Sequence, residues 1–196
     1  MANNCFTDFV IEGEPTFIKR LHDAIEANDY QWVGDIIAAA GIMTKEEVEA
    51  TSEYKCCNLR ASWTGAQDVS SPQDPDIAIL RFTEDSKWTR SEGVSLIQRI
   101  LSEQEEDGTI EESPIYAVYF VTEEPGCGIF EVSDPDSKYF SERYQVYHEE
   151  YGTEYFDTEA DVLEWINETF GTDFKTVAEA AASDEHEFYI NEYEEV

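Results

Sequence analysis

The stretch CFTDFVIEGEPTFIKRLHDAIEAN, residues 5–28, decides the fold. It opens with a short apolar run of residue types that favour strands, and Gly13 ends that run. Glu14 and Pro15 then begin a helix, because proline suits the first position of a helix. The apolar residues that follow have the three-four spacing of an amphipathic helix: Phe17, Ile18, Leu21, Ala24 and Ile25. The stretch therefore predicts strand one followed by helix one.

Downstream of this stretch the strand and helix patterns continue. Thr44 and Glu47 form a capping-box pattern, which predicts the start of a short helix. Ser91 is expected to cap a later helix. Strand two is predicted where apolar and polar residues alternate, with Cys57, Leu59, Ala61 and Trp63 on one face of residues 55–63. The remaining predicted elements are a short helix at 32–40, strand three at 77–83 and strand four at 115–122.

This order of elements is the split β-α-β topology of ferredoxin-like domains. We therefore predict an α+β fold with a ferredoxin-like antiparallel sheet and a helical insert at residues 30–50. Residues 1–122 are predicted to form this core domain. One core beneath the sheet is expected to bury Phe9, Ile11, Leu21, Leu59, Leu80, Ile97, Val118 and Phe120.

Residues 123–196 are predicted to form an acidic C-terminal extension, a β-hairpin followed by helices, that packs on the same domain. Two strands are predicted at residues 128–133 and 143–149. A helix is expected to begin at Thr158 and to stop at Gly171, because glycine commonly ends helices. A short helix at 177–182 and a strand at 188–193 complete the prediction.

Net charge is the exceptional property of the chain, because 45 Asp and Glu residues face 12 Lys and Arg residues, giving −33. Residues 1–100 carry −8, residues 101–138 carry −10 and residues 139–196 carry −15. Such a charge repels nucleic acids, anionic membranes and acidic substrates, and it attracts basic protein surfaces. We therefore expect a basic protein as the partner, and neither direct nucleic-acid binding nor membrane binding.

The sequence shows neither a membrane-spanning segment nor a signal peptide. No apolar run approaches the roughly 20 residues that cross a bilayer, and the start MANNCFTDF has neither the basic nor the apolar region of a signal peptide. We expect the protein in the cytosol of a bacterial host.

Catalytic and metal-binding motifs are missing from the sequence, so no cofactor, no metal and no enzymatic activity are expected. The cysteines Cys5, Cys56, Cys57 and Cys127 form no C-x-x-C pair, and we interpret them as reduced thiols that lie mostly in or near the core. Cys56 and Cys57 are expected on opposite faces of strand two.

Two segments resemble a reactive cysteine site and a calcium-binding loop, but their neighbouring residues disfavour both functions. Cys127 lies between two glycines, but neighbouring glutamates would raise its thiol pKa and disfavour a nucleophile. Asp134 and Asp136 begin a segment like a calcium loop, but Lys138 occupies the third ligand position and the required glycine is missing.

The acidic clusters leave three interpretations open. They are a solvated surface that keeps the protein soluble, an adaptation to high salt, or a mimic of a polyanion such as DNA. The third interpretation predicts that carboxylates in residues 101–112 and 142–195 form a continuous negative band. The predicted partner-binding residues are Glu103, Glu105, Glu106, Asp107, Glu111, Glu112, Glu149, Glu150, Glu154 and Asp157.

The segment YAVYFVTEEPGCGIFEVSDPDSKYFSERYQV, residues 116–146, together with the opening MANNC, resembles the YubB-like ferredoxin-fold proteins of phages and conjugative elements. Met1 to Cys5 and Glu123 to Gly126 match that pattern, and Ala61-Ser62-Trp63 is similar to its tryptophan-bearing segment. The resemblance covers about two thirds of the chain and is weakest at residues 30–55 and after Tyr155. It implies a ferredoxin-like fold and a mobile-element origin, and it carries over no catalytic residues.

Three functions remain open at this point. The first is an acidic, non-enzymatic inhibitor that mimics DNA and occupies the basic site of a nucleic-acid-binding host protein, such as a defence protein. The second is an accessory protein-binding module of a phage or plasmid that uses exposed aromatics such as Tyr144, Tyr147 and Tyr151. The third, ranked last, is an enzyme that uses scattered carboxylates with a metal.

Overall fold

The structure, a computed structural model, describes residues 4–29, 31–70, 74–183 and 186–196. The chain has a mixed α+β fold in which most strand pairs are antiparallel. It divides into two compact units, Met1–Ile129 (unit 1) and Phe130–Val196 (unit 2). Within the described ranges, every helix is too short or too polar to cross a bilayer.

Unit 1 combines a four-stranded sheet with five helices among its described residues. The strand order is β2-β3-β1-β4, and each neighbouring pair is antiparallel. The elements in chain order are β1 (Asn4–Gly13), α1 (Pro15–Ala27), α2 (Val33–Ala39), α3 (Lys45–Ala50), α4 (Ser52–Lys55), β2 (Ala61–Ser70), β3 (Ala78–Lys87), α5 (Gly93–Glu106) and β4 (Ile115–Glu124).

The core of unit 1 lies on the sheet face that carries Phe9 and Ile11. Phe9 lies opposite Phe82 on β3 and Phe120 on β4, and the Phe9 and Phe82 rings stack with centroids 5.1 Å apart. The apolar residues predicted for α1 are all buried in this core. Of the predicted core set, Val118 and Phe120 are partly buried against it and the other six are buried, so this prediction is confirmed in substance.

The prediction for strand two is wrong in its position. Residues 55–60 form the end of α4 and a turn, where the N–H of Cys57 donates to the carbonyl of Tyr54 over 3.0 Å. Cys57 has a φ of 63°, which an extended strand cannot accommodate. Strand β2 therefore begins only at Ala61. The predicted inward alternation holds for Leu59, Ala61 and Trp63.

All four cysteines are free thiols as predicted, but the predicted positions of three of them are wrong. Cys56 and Cys57 are both exposed in this turn, so they do not lie on opposite faces of a strand. Cys127 is exposed as well, and Cys5 is the one buried cysteine of the four.

Ser91 also has a different role from the predicted cap. Helix α5 begins at Gly93 with Glu92 at its N-cap position, and the Glu92 side chain makes no capping hydrogen bond. The Ser91 hydroxyl accepts from the N–H of Gly93 and donates to the buried carboxylate of Glu84. Ser91 thus connects the helix start to strand β3.

Unit 2 is built from short elements around a small core. Its strands β6, β7 and β8 form an antiparallel sheet of order β7-β6-β8, and β5 pairs in parallel with β9. Strand β5 starts at the last residue of unit 1. The elements are β5 (Ile129–Ser133), β6 (Tyr144–His148), β7 (Gly152–Phe156), α6 (Glu159–Phe170), α7 (Val177–Ala181), β8 (Tyr189–Glu192) and β9 (Glu194–Glu195).

Helix α6 follows the prediction at both ends. Thr158 and Asp161 form a capping box at its start, and Gly171 ends it with a φ of 68°. Val162 and Ile166 bury its inner face against Val146 of β6. Strand β7 was not predicted, because most of its residues are exposed and show no apolar alternation.

Candidate functional site

The net negative charge per residue of unit 2 is about twice that of unit 1. Unit 1 has 25 acidic and 9 basic residues in its 129 positions, which gives −16. Unit 2 has 20 acidic and 3 basic residues in its 67 positions, which gives −17. Unit 2 therefore carries the denser negative charge of the two.

One surface cleft of unit 2, of about 670 Å³, has a strongly acidic lining. Five carboxylates and one guanidinium line it, together with two tyrosines and a threonine. We name it the acidic cleft and define it by Arg143, Tyr144, Asp157, Thr158, Glu159, Glu192, Tyr193, Glu194 and Glu195.

Strand register brings these residues together from distant parts of the sequence. Tyr144, the first residue of β6, pairs with Phe156 at the end of β7 and with Glu192 at the end of β8. The chain leaves β7 through Asp157 and enters α6 at Glu159. The N–H of Tyr193 donates to the carbonyl of Arg143 over 2.9 Å. The cleft thus lies where three strand ends meet a helix start.

Arg143, the single cation of the acidic cleft, is already held by groups outside the carboxylate set. Its guanidinium donates to three backbone carbonyls and one hydroxyl at 2.7 to 3.1 Å: those of Phe140, Glu142, Asp134 and Ser137. Within the described part of the chain, none of the five cleft carboxylates forms an ion pair. Their negative charges are therefore left to solvent or to a cationic ligand.

The pKa of Tyr144 reflects its burial and this negative environment. Burial raises the pKa of the Tyr144 hydroxyl, and the nearby charges of Glu192 and Glu159 raise it further. The hydroxyl also lies 3.4 Å from the Glu192 carboxylate, to which it donates. A neutral, donating tyrosine beside unpaired carboxylates suits the binding of lysine or arginine side chains.

The segment that begins at Asp134, which resembles a calcium-binding loop in sequence, has a structural role. The Asp134 carboxylate is fully buried and accepts from the N–H groups of Lys138, Tyr139 and Phe140 at 3.0, 2.6 and 2.8 Å. Burial alone would raise the pKa of Asp134, but these donors and the charge of Arg143 outweigh it and hold the pKa below its ordinary value. Nowhere in the described ranges do three or more His, Cys, Asp or Glu side chains gather in a way that could hold a metal ion.

The predicted partner-binding residues of unit 2 fall in three places. Asp157 lines the acidic cleft. Glu149 and Glu150 are exposed in the turn between β6 and β7, and Glu154 is exposed on β7. The prediction missed Glu159, Glu192, Glu194 and Glu195. The repeated acids of the final residues NEYEEV were a usable signal, but only the pairing of β6 with β8 brings them to Asp157.

The predicted residues of unit 1 gather around the end of α5. Glu103, Glu105 and Glu106 lie in its last turns, and the helix ends at Asp107. Glu111 and Glu112 follow in a turn, and all six residues are exposed. Glu103 pairs with Arg99, and Asp107 accepts from Thr109. The hydrogen bonds from Thr109 lower the pKa of Asp107.

The continuous negative band that the sequence predicted stays a prediction. Its two segments belong to different units, and two of its acids, Asp184 and Glu185, lie outside the described residues. Met1 to Asn3 of the MANNC motif lie outside them as well.

Exposed aromatic side chains form a second surface feature of unit 2. Tyr147 on β6 and Tyr189 on β8 face each other with ring centroids 6.0 Å apart, and both are exposed. Tyr151 is also exposed, whereas Tyr144 is half-buried in the acidic cleft.

Comparisons of the chain with protein-family models, with curated proteins and with solved structures gave no significant match.

Proposed function

We propose that the protein is a non-enzymatic binding protein that holds a lysine- or arginine-rich surface of another protein in the acidic cleft. The observation that carries this proposal is the set of five cleft carboxylates without an ion-pair partner in the described residues. Unpaired like charges in one cleft repel each other, and a cationic ligand relieves that repulsion.

The partner that fits best is a basic nucleic-acid-binding protein of the host, and binding would inhibit it. A basic nucleic-acid site is built to receive a dense row of negative charges. Unit 2 offers such a density, with −17 over 67 residues. We therefore place the protein among DNA mimics that act against host defence or replication, in the bacterial cytosol.

The exposed acids of unit 1 support a role beyond solubility. Glu105, Glu106 and Asp107 lie at the C-terminal end of α5, where the negative end of the helix dipole disfavours further negative charge. No basic residue occupies the last turn of that helix. A chain that keeps acids where they oppose helix stability gains from them elsewhere, which partner binding would explain.

We also propose a ferredoxin-like fold for unit 1 and a mobile-element origin for the protein. The order β2-β3-β1-β4 with antiparallel neighbours supports a ferredoxin-like arrangement for unit 1. The resemblance to YubB-like proteins supports a phage or plasmid origin.

The test is capture of partners from a bacterial lysate at low salt, followed by mass spectrometry and by a nucleic-acid-binding assay of each captured protein. We expect the captured protein to be basic and to lose nucleic-acid binding when this protein is added. A variant with Asp157→Asn, Glu192→Gln, Glu194→Gln and Glu195→Gln should bind it more weakly and with a shallower salt dependence.

The matched control neutralises as many exposed acids of unit 1 outside the predicted partner-binding set, by Glu26→Gln, Asp29→Asn, Glu46→Gln and Glu49→Gln. If both variants lose affinity equally, net charge and not the acidic cleft determines binding. If neither variant loses affinity, the proposed function is wrong.

A second candidate is an accessory module that binds through the exposed pair Tyr147 and Tyr189. Aromatic side chains are frequent anchors of protein interfaces. Such an interface should keep its affinity as salt rises, whereas binding through the acidic cleft should weaken. Tyr189→Ala would then abolish capture, and the cleft variant would not.

A further inference from the structure

Unit 1 contains a second cleft, of about 520 Å³, whose lining is basic although the protein is strongly acidic. Three of the nine cationic side chains of unit 1 line it, and Glu92 is the one carboxylate among its described lining residues. We name it the basic cleft and define it by Arg60, Lys87, Trp88 and Arg90.

The segment that carries most of this lining is held by a buried anchor. Strand β3 ends at Lys87, and the chain then reaches α5 through Trp88, Thr89, Arg90 and Ser91. The fully buried carboxylate of Glu84 accepts from the N–H of Ser91 over 2.7 Å and from the indole of Trp63 over 2.8 Å. The hydroxyl of Ser86 donates to the carbonyl of Thr89 over 2.8 Å. The segment is thereby fixed to the sheet at both ends.

Trp88 has an unusual backbone and an unusual exposure. Its φ is 72°, a left-handed conformation that bulky residues rarely adopt, and 54% of its surface is exposed. Cys57, across the cleft lining, has a φ of 63°. Such conformations are strained and concentrate at ligand-binding positions. Two of the three non-glycine residues with positive φ in the described ranges thus line this one cleft.

The cations of the basic cleft contact aromatic rings and polar side chains. The guanidinium of Arg90 lies 3.7 Å from the centre of the Phe120 ring, and that of Arg60 lies 6.0 Å from the Trp32 ring. Lys87 donates to the side chain of Asn4 and lies 3.7 Å from an oxygen of Asp85.

The one cleft carboxylate is already engaged. Glu92 accepts from the side-chain amide of Asn58 over 2.9 Å, and its N–H donates to the Asn58 carbonyl over 3.0 Å. Glu92 keeps its charge in these contacts, and the lining carries three cations against this one carboxylate.

We propose that the basic cleft binds a small anion that carries a flat aromatic ring, which is the chemistry of a mononucleotide. Arg60, Lys87 and Arg90 would contact the phosphate, and the exposed indole of Trp88 would stack on the base. The volume lies within the range of small-molecule sites, about 300–1,000 Å³. A nucleic-acid chain does not fit, because the surrounding charge of −33 repels a polyanion much more strongly than a single phosphate group.

This site is independent of the acidic cleft, since its residues belong to unit 1 and its ligand has the opposite charge. Either proposal can fail without the other.

The test is titration of the full chain with AMP, adenosine and inorganic phosphate, followed through the indole N–H signals in heteronuclear NMR spectra. We expect AMP to shift the Trp88 signal at submillimolar concentration and to leave that of Trp165 in place. Adenosine and phosphate should each bind at least about tenfold more weakly, because each lacks one of the two contacts. Arg60→Gln, at an exposed position, should weaken AMP binding about tenfold, whereas Lys19→Gln on α1 should not.

A second readout uses the thiols. Cys56 and Cys57 line the basic cleft and Cys127 does not, although all three are exposed. Bound AMP should slow maleimide labelling of Cys56 and Cys57 and leave labelling of Cys127 unchanged.

Three results would overturn the proposal. One is an unchanged Trp88 signal at millimolar AMP with unchanged labelling rates. Another is equal weakening by Arg60→Gln and Lys19→Gln, which would indicate unspecific charge attraction. The third is adenosine or phosphate binding as tightly as AMP, which would remove one of the two contacts. The unperturbed Trp63 signal in each variant shows that the fold is retained.

Discussion

The two units carry almost the same charge on very different cores. Among the described residues, the main cluster of unit 1 buries 24 hydrophobic side chains and that of unit 2 buries five. Unit 1 carries −16 and unit 2 carries −17. Burial of apolar surface is the dominant favourable term in folding, and repulsion among like charges opposes it. Unit 2 therefore holds its acidic surface with a smaller reserve of stability, and a given loss of free energy should unfold it more readily than unit 1.

The largest effects are expected from truncations in the two cores. Leu80→Ala in unit 1 and Ile166→Ala in unit 2 each remove a fully buried side chain and should cost about 2–5 kcal/mol. Unit 1 should stay folded after this loss, and unit 2 should not. The measurement is urea unfolding followed by the NMR signals of Trp63 in unit 1 and Trp165 in unit 2.

The matching controls are Leu80→Met and Ile166→Val, which keep most of the volume and should cost little over 1 kcal/mol. If Ile166→Ala leaves the Trp165 signal folded to the same urea concentration as in the parent protein, the small core of unit 2 is not what stabilises it.

Strong local patterns in the sequence predicted several elements of the fold correctly. In α1 the apolar spacing and the Glu14-Pro15 start predicted every buried residue, because a single strong amphipathic period leaves few alternatives. The Thr44 and Thr158 caps and the Gly171 stop were predicted for the same local reason.

Predictions failed where non-local contacts decide the structure. The alternation at residues 55–63 indicated a strand, but the turn after α4 places Cys57 in a left-handed conformation that no local pattern announces. The acidic cleft depends on the register of β6 with β8, which joins Tyr144 to Glu192 across 48 positions. The sequence supplied the charge of the candidate site but not the arrangement of its carboxylates.

A smaller effect is expected at the buried carboxylate of unit 2. Asp134→Asn weakens charge-assisted hydrogen bonds from three N–H groups and should cost about 1.5–3 kcal/mol. The exposed neighbour Asp136 is the control, and Asp136→Asn should cost nothing measurable or stabilise slightly by relieving repulsion. Urea unfolding followed by Trp165 measures both.

The pH dependence of this difference has a definite sign. The pKa of Asp134 is lower in the folded than in the unfolded chain, so the carboxylate stabilises the fold above the unfolded pKa of about 3.9. The stability gap between Asp136→Asn and Asp134→Asn should therefore be full at neutral pH and close as the pH falls below about 4. A gap that stays constant down to pH 2 would contradict the lowered pKa.

Helix caps should affect the two units alike, because capping is a local interaction. Thr44→Ala in unit 1 and Thr158→Ala in unit 2 each remove an N-cap and should each cost about 1 kcal/mol. Serine at either position retains the hydroxyl and should restore most of the loss. Chemical unfolding measures both losses. A much larger loss at Thr158 would show that this residue, which borders the acidic cleft, does more than cap the start of α6.

The smallest effect, a response to salt, should separate the units most cleanly. Between 0.1 M and 1 M salt the screening length falls from about 10 Å to about 3 Å, so repulsion between exposed carboxylates of one unit largely disappears. Sodium chloride should therefore raise the melting temperature reported by Trp165 more than that reported by Trp63. Sucrose, which stabilises through exclusion and not through screening, should raise the two more evenly. In the variant Glu192→Gln, Glu194→Gln, Glu195→Gln, the melting temperature of unit 2 should start higher and gain less from salt, because the acidic cleft supplies part of the repulsion. Equal salt gains in both units would mean that the density of acids in unit 2 does not destabilise its fold, and relief of repulsion would then not favour partner binding.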